Sequence, residues 1–238
     1  MRFLNFEIKK INKQKIVEEI SNEYHGLIKL CQNYSMTTYE RMWSLIQSCN
    51  YVFEKNISGD FVECGVWKGG NIILMKEMMK KNQNFKKIFC YDTFEGMPRP
   101  SKEDAKYNGK DALNIFNEHK EKNKGFCSSP LEEVKENIIR SSGNIDDILF
   151  IEGMVEKTLL DESNLPEKIS ILRLDTDFYE STKIEMEILF PRLVNNGILI
   201  IDDYGFWKGA KQAIDEYFKD KKPFLIRIDH SCRLLIKN

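Results

Sequence analysis

Hydrophobic and polar positions along the chain fall into two textures. Over residues 8–55 the apolar positions recur every three or four residues. Ile16, Ile20, Tyr24, Leu27 and Leu30 share one helical face, and Met42, Leu45, Ile46 and Cys49 share another. Thr37-x-x-Glu40 has the form of a capping box and opens the second helix. Beyond residue 56 short apolar runs take over: Phe61–Cys64, Ile88–Tyr91, Ile148–Ile151, Ile169–Leu174, Ile198–Ile201, Phe224–Ile228 and Leu234–Ile236. Most are separated by amphipathic stretches long enough for a helix, which predicts a mostly parallel sheet covered on both faces. The last two runs flank Asp229-His230-Ser231 and leave no room for a crossover helix, so they pair antiparallel. The expected architecture is α/β: a single domain over 56–238, with a helical extension over 1–55 packing across its ligand site.

One stretch interrupts the alternation. Residues 97–130 are polar and rich in Lys, Asn and Glu. A connection of that length inside a compact domain is a binding lid or a surface excursion. Its place after a strand end favours a lid over about 99–130.

The strand ends carry the chemistry. Gly59-Asp60-Phe61-Val62-Glu63-Cys64-Gly65-Val66-Trp67-Lys68-Gly69-Gly70-Asn71 runs from a strand through a glycine-rich turn into a helix over Ile72–Lys80. Ligands of open α/β sheets bind beyond such strand ends. The spacing GxxxGG is neither the GxGxxG of dinucleotide folds nor a P-loop. Glu63 sits at the strand tip, where a carboxylate repels a pyrophosphate and suits a cationic ligand. S-adenosylmethionine is cationic at its ammonium and sulfonium and has no phosphate. The next strand ends in Tyr91-Asp92, an acid placed to accept hydrogen bonds from ribose hydroxyls.

Two further strands end in acids: Ile169–Leu174 leads into Asp175-Thr176-Asp177, and Ile198–Ile201 into Asp202-Asp203. If these strands are parallel, the carboxylates emerge together beside the Gly65 turn. Converging carboxylates raise one another's pKa unless a cation joins them, and their hard oxygens suit Mg²⁺, Mn²⁺ or Ca²⁺. Any one of these acids could instead cap the helix that follows. A bound cation lowers the pKa of a substrate hydroxyl, and a nearby carboxylate takes its proton.

Composition narrows the partners. The 238 residues carry 36 Lys and Arg against 37 Asp and Glu, a formal net charge of −1, which argues against a nucleic-acid-coating protein. The six cysteines form no CxxC pair and no zinc spacing, so reduced intracellular thiols are expected. The start, MRFLNFEIKKINK, lacks an apolar signal core. No apolar run approaches the roughly 18 residues that span a bilayer. A cytoplasmic protein with no membrane partner is expected. Of the three histidines, His25 reads as structural, while His119 in the lid and His230 in the terminal turn are weak site candidates. Arg99 and Lys102 are placed to meet an anionic group on a substrate.

Five segments, in order, carry a family resemblance: MTTYERM at 36–42, GDFVECGVWKGGN at 59–71, YDTFEGMP at 91–98, LRLDTDFYEST at 172–182 and IDDYGFWKGAKQAIDEYF at 201–218. The chain resembles the macrocin O-methyltransferase (TylF/MycF-type) family of S-adenosylmethionine- and Mg²⁺-dependent sugar O-methyltransferases. The resemblance implies a class I methyltransferase fold with a Rossmann-like sheet. It implies a cofactor site at Met36, Thr37, Arg41, Glu63, Gly65, Trp67, Gly70, Asn71, Asp92, Thr93 and Phe94. It gives Asp175, Asp202 and Asp203 as ligands of Mg²⁺ or Mn²⁺, Asp177 as the general base, and a homodimer or higher homo-oligomer. Phe206 stands where the family often has His, and Phe178 where it often has Trp, which bears on the acceptor. The expected acceptor is a sugar hydroxyl in natural-product or surface-polysaccharide biosynthesis. The alternatives are a nucleotide-dependent sugar-modifying enzyme on the same fold, and a module that binds cofactor and metal without catalysis.

Overall fold

Seven apolar runs become seven strands of one sheet. They are β1 Asp60–Cys64, β2 Ile88–Asp92, β3 Ile148–Glu152, β4 Ile169–Leu174, β5 Leu193–Ile201, β6 Ile226–Arg227 and β7 Arg233–Ile236. The computed structural model describes residues 19–107, 109, 112–121 and 127–238. The described part does not include Ile16 or the side chain of His119.

The strands lie in the order β3-β2-β1-β4-β5-β7-β6. The first five are parallel, and β7 runs antiparallel to both β5 and β6. The expected antiparallel end is thus present, with β7 inside the pair and β6 at the edge. β1 and β4 occupy the middle of the sheet and are buried almost throughout, as a strand covered on both faces must be.

The helices are α1 Asn22–Gln32, α2 Tyr39–Glu54, α3 Gly70–Asn82, α4 Ala112–Glu121, α5 Leu131–Ser142, α6 Val155–Thr158, α7 Tyr179–Ile188 and α8 Lys208–Phe218. One core joins α1, α2, α3 and α5 to a sheet face through Ile28, Met42, Leu45, Ile46, Ile72 and Val134. The other joins α7 and α8 to the opposite face through Met186 and Ile214.

Two expectations at the N-terminal end are corrected. The buried residues of α1 are His25, Ile28 and Cys31; of the described part of the expected stripe, Ile20 is buried and Tyr24 and Leu27 pack partly buried against the same core, while Leu30 is turned out. The helix α2 is capped by Thr38, whose Oγ1 accepts from the Arg41 N–H at 3.3 Å. Thr37 lies one residue outside, where its hydroxyl is free to face the sheet. His25 is structural: its Nδ1 meets the Tyr39 hydroxyl at 2.6 Å.

Candidate functional site

All five parallel strands point their carboxyl ends to the same edge, where a cavity of about 440 Å³ opens. Its lining includes Met36, Thr37, Arg41, Gly65, Trp67, Asn71, Asp92, Thr93, Asp175, Asp177, Asp202 and Asp203. Of the expected site residues, Glu63, Gly70 and Phe94 do not line it.

The glycine turn owes its shape to two close approaches. Gly65 has φ +85°, and a Cβ there would lie 2.1 Å from the Asp175 carbonyl oxygen. Gly65 thus lets β1 and β4 deliver their ends side by side. A Cβ at Gly70 would lie 2.6 Å from the Ser35 Cβ, so this glycine seats the segment between α1 and α2 against the start of α3. Asp92 braces the turn from β2: its Oδ2 accepts from the N–H groups of Val66 and Trp67 at 2.6 and 3.0 Å, and its Oδ1 from Phe94 at 2.8 Å.

Glu63 is fully buried beneath the cavity wall. Its Oε1 accepts from Asn71 Nδ2 at 2.9 Å and Arg173 Nη1 at 2.6 Å, while Oε2 is buried without a partner. Burial pushes its carboxyl up to about 7, against the pull of Arg173 and Asn71.

Arg173 is the residue that motif reading missed. It is the largest fully buried side chain among the described residues. Nη1 also donates to Asp175 Oδ2 at 2.8 Å, and Nη2 donates to Asp202 Oδ1 at 2.5 Å and Thr37 Oγ1 at 3.3 Å. Asp202 Oδ2 accepts from Arg41 Nη1, and Arg41 Nε donates to Asp229 Oδ2 at 2.8 Å. A signal was present in the sequence: an arginine inside a strand buried on both faces needs carboxylates within reach.

Asp175, Asp177 and Asp203 bring one carboxylate oxygen each within 4.8 Å of one another. Asp202 stands beside this group with an arginine on each oxygen. Asp177 has φ +70°, an uncommon backbone for a non-glycine residue. Burial raises its carboxyl to about 7, and Asp175 and Asp202 add to the rise, while hydrogen bonds from Asp203 and Trp207 oppose it. Burial and the neighbouring carboxylates also hold Asp203 well above the ordinary range. Asp203 Oδ2 is buried without a partner. Between the two acids of β4's end, Thr176 Oγ1 donates to the buried Glu185 at 2.9 Å.

The far wall is aromatic. Phe206 and Trp207 meet edge to face with centroids 5.3 Å apart, and Lys106 Nζ lies 4.5 Å from the Phe206 centroid. The first part of the expected lid docks here. Asp104, buried, accepts from the Tyr179 N–H that opens α7 at 2.8 Å, and Ala105 accepts from Lys208 N–H at 2.9 Å. His230 lines the cavity next to Phe206, whereas Arg99 and Lys102 are exposed and outside it.

The sequence profile of the macrocin O-methyltransferases (TylF) matches residues 5–235. The chain belongs to that family. A rhamnosyl-tetracenomycin-C 4'-O-methyltransferase of Streptomyces olivaceus is 32% identical over 186 residues, covering 77% of this chain and 67% of the relative. The demethyldecarbamoylnovobiocin O-methyltransferase of Streptomyces niveus is 30% identical, covering 84% and 72%. The solved structure of the O-methyltransferase NovP superposes with a TM-score of 0.75 at 26% identity, covering 86% of this chain and 82% of that one. At 11% identity and a TM-score of 0.53, an O-methyltransferase from Bacillus cereus solved with S-adenosylhomocysteine shares the fold over 93% of this chain and 94% of its own. The chain is therefore an O-methyltransferase with the class I S-adenosylmethionine-binding fold. No helix among the described residues is long and apolar enough to cross a membrane.

Proposed function

We propose that the chain moves the methyl group of S-adenosylmethionine onto a hydroxyl of a sugar or sugar-like acceptor, with a divalent cation, Mg²⁺ or Mn²⁺, at its carboxylate cluster. The observation that carries the reading is the meeting of Asp175, Asp177 and Asp203 on the sheet edge that also holds the Gly65 turn. The donor set fits such an ion: three hard oxygens converge, and the buried Asp203 Oδ2 has no partner. When bound, a divalent cation lowers the pKa of a hydroxyl.

Asp175 and Asp203 are ligands in both arrangements that the site supports. In the first, Asp202 is the third ligand, since each of its oxygens keeps a lone pair beyond its arginine contact. Asp177 would then take the hydroxyl proton, its carboxyl held ionised by the neighbouring cation. In the second, favoured by the observed grouping, Asp177 is itself the third ligand. Mn²⁺ titration of Asp177→Asn separates the two: unchanged affinity supports the first arrangement, and a loss of tenfold or more supports the second.

The cofactor reading places Gly65, Trp67, Asn71, Asp92 and Thr93 against S-adenosylmethionine, with Met36, Thr37 and Arg41 closing from the N-terminal side. The acceptor reading draws on the relatives, whose names specify rhamnosyl-tetracenomycin and novobiocin substrates. The aromatic wall of Phe206 and Trp207 suits the apolar face of a sugar ring. A sugar on a natural product or on a surface polysaccharide meets both conditions. The test incubates the chain with S-adenosylmethionine, Mg²⁺ and a panel of both acceptor types, reading methylated mass, while calorimetry follows S-adenosylhomocysteine. Turnover should vanish in excess EDTA while S-adenosylhomocysteine still binds. No binding of that product, or full turnover under chelation, would overturn the proposal.

A further inference from the structure

Arg173 touches both halves of the site at once. Its Nη1 is shared between Glu63 Oε1 at 2.6 Å, on the β1 side, and Asp175 Oδ2 at 2.8 Å, in the carboxylate cluster. Its Nη2 is shared between Asp202 Oδ1 at 2.5 Å and Thr37 Oγ1 at 3.3 Å. Asn71 Nδ2 donates to both Thr37 Oγ1 at 3.2 Å and Glu63 Oε1 at 2.9 Å. One buried guanidinium thus joins the end of β1, the ends of β4 and β5, and the N-terminal segment that lines the cavity.

We propose that Arg173 is a positioning residue that makes cofactor binding and cation binding reinforce one another. This rests on the function proposed above. Nη1 carries two N–H bonds, so each carboxylate takes its own, and the planar guanidinium holds Glu63 Oε1 and Asp175 Oδ2 in fixed register. A cation that fixes Asp175 therefore fixes the guanidinium, and through it Glu63 and Thr37. Asn71, which donates to both Glu63 and Thr37, is fixed with them, and Asn71 and Thr37 line the cavity where the cofactor is proposed to bind. Working in reverse, a ligand that fixes Glu63, Asn71 and Thr37 fixes the guanidinium, and with it the Asp175 and Asp202 carboxylates. Linkage requires the two effects to be equal in size.

Lysine in place of Arg173 keeps the positive charge. It is a single point charge, without the planar fork that spans two carboxylates at once. Arg173→Lys therefore tests the tie rather than the charge.

The experiment measures the dissociation constant of Mn²⁺ by electron paramagnetic resonance, with and without saturating S-adenosylhomocysteine, and that of S-adenosylhomocysteine by calorimetry, with and without saturating Mn²⁺. In the unaltered chain each ligand should tighten the other by the same factor, about fivefold or more, the size typical of coupled sites. In Arg173→Lys, checked for fold by circular dichroism, that factor should fall to near one. A purely structural role for Arg173 would weaken both ligands and leave the factor intact. Independent binding in the unaltered chain overturns the proposal whether or not the variant folds, and so does an unchanged factor in a folded variant. Failure of either ligand to bind the unaltered chain at all would instead count against the proposed function.

Discussion

Asp229 anchors the outer end of the same ionic chain, and its environment sets a measurable acid limit on the fold. Burial by itself would raise this carboxyl. Four donors outweigh it: Arg41 Nε and the Thr38 hydroxyl reach Oδ2 at 2.8 and 3.1 Å, and the N–H groups of Cys232 and Ser231 reach Oδ1 at 2.7 and 2.8 Å. The carboxyl is pushed from the ordinary 3.8 down to about 2. Its side chain is 9% exposed, so solvent screens the contacts little. At about 1.4 kcal/mol for each pH unit, the depression stabilises the fold by roughly 2 kcal/mol. The folded value lies below the unfolded one. The contribution is therefore complete above about pH 4 and is lost as pH falls toward 2. Asp229→Asn should remove it, lowering Tm at pH 7 by about 4–8 °C for a chain of this size. Thermal melts of both proteins from pH 7 to 2 should converge at the acid end, because the unaltered chain loses there what the variant already lacks. Melting curves that stay parallel across that range, or no difference at pH 7, would refute the assignment of this stability to Asp229.

Three other outcomes follow from the site. Asp177→Asn should lower turnover by about 10²-fold with S-adenosylhomocysteine affinity unchanged; an unaltered rate removes its role as base. Gly65→Ala drives a methyl to within 2.1 Å of the Asp175 carbonyl oxygen, so the strand ends must part; the variant should lose both S-adenosylhomocysteine and Mn²⁺ binding, and retention of both by calorimetry would show that the close approach is dispensable. Asp177 titrates near 7 in the unliganded chain, and Asp175 and Asp203 lie well above their ordinary values. Mn²⁺ ligands must be deprotonated, so binding at pH 6 should release protons and affinity should rise with pH; calorimetry in buffers of different ionisation enthalpy reads this, and pH-independent uptake without proton release would contradict it.

The sheet was legible because its strands announce themselves. Ile169–Leu174 and Phe61–Cys64 are continuous apolar runs, which a parallel strand covered on both faces requires, and the observed strands match them within a residue. The acids after those runs could be placed on one edge from topology alone. What apolar periodicity could not supply was the centre of the buried stripe of α1: Tyr24 and Leu27 flank it partly buried, while His25, Ile28 and Cys31 lie innermost and Leu30 turns out. Polar composition misled in the other direction. Asp104 sits in a hydrophilic stretch that reads as solvated, yet it is buried at the N-terminus of α7, a contact across 75 residues with no local signature.

Glu63 and Asp202 show a subtler gap. Both residues were found, and each has partners that sequence spacing does not reveal. Six carboxylates gather around the cavity floor, those of Glu63, Asp175, Asp177, Asp202, Asp203 and Asp229, and two guanidiniums gather with them. The arginines are not spread evenly. Glu63, Asp202 and Asp229 are each held by at least one, and Asp175 shares one. Among the described residues no guanidinium contacts Asp177 or Asp203. The protein's own cations thus fix the rear of the site as permanent framework. The uncompensated charge is concentrated at the front, facing the cavity, where a divalent ion would be the next positive charge to arrive. That division explains why an acid-rich strand edge does not come apart: arginine contacts four of its six carboxylates, and the other two are left for a ligand.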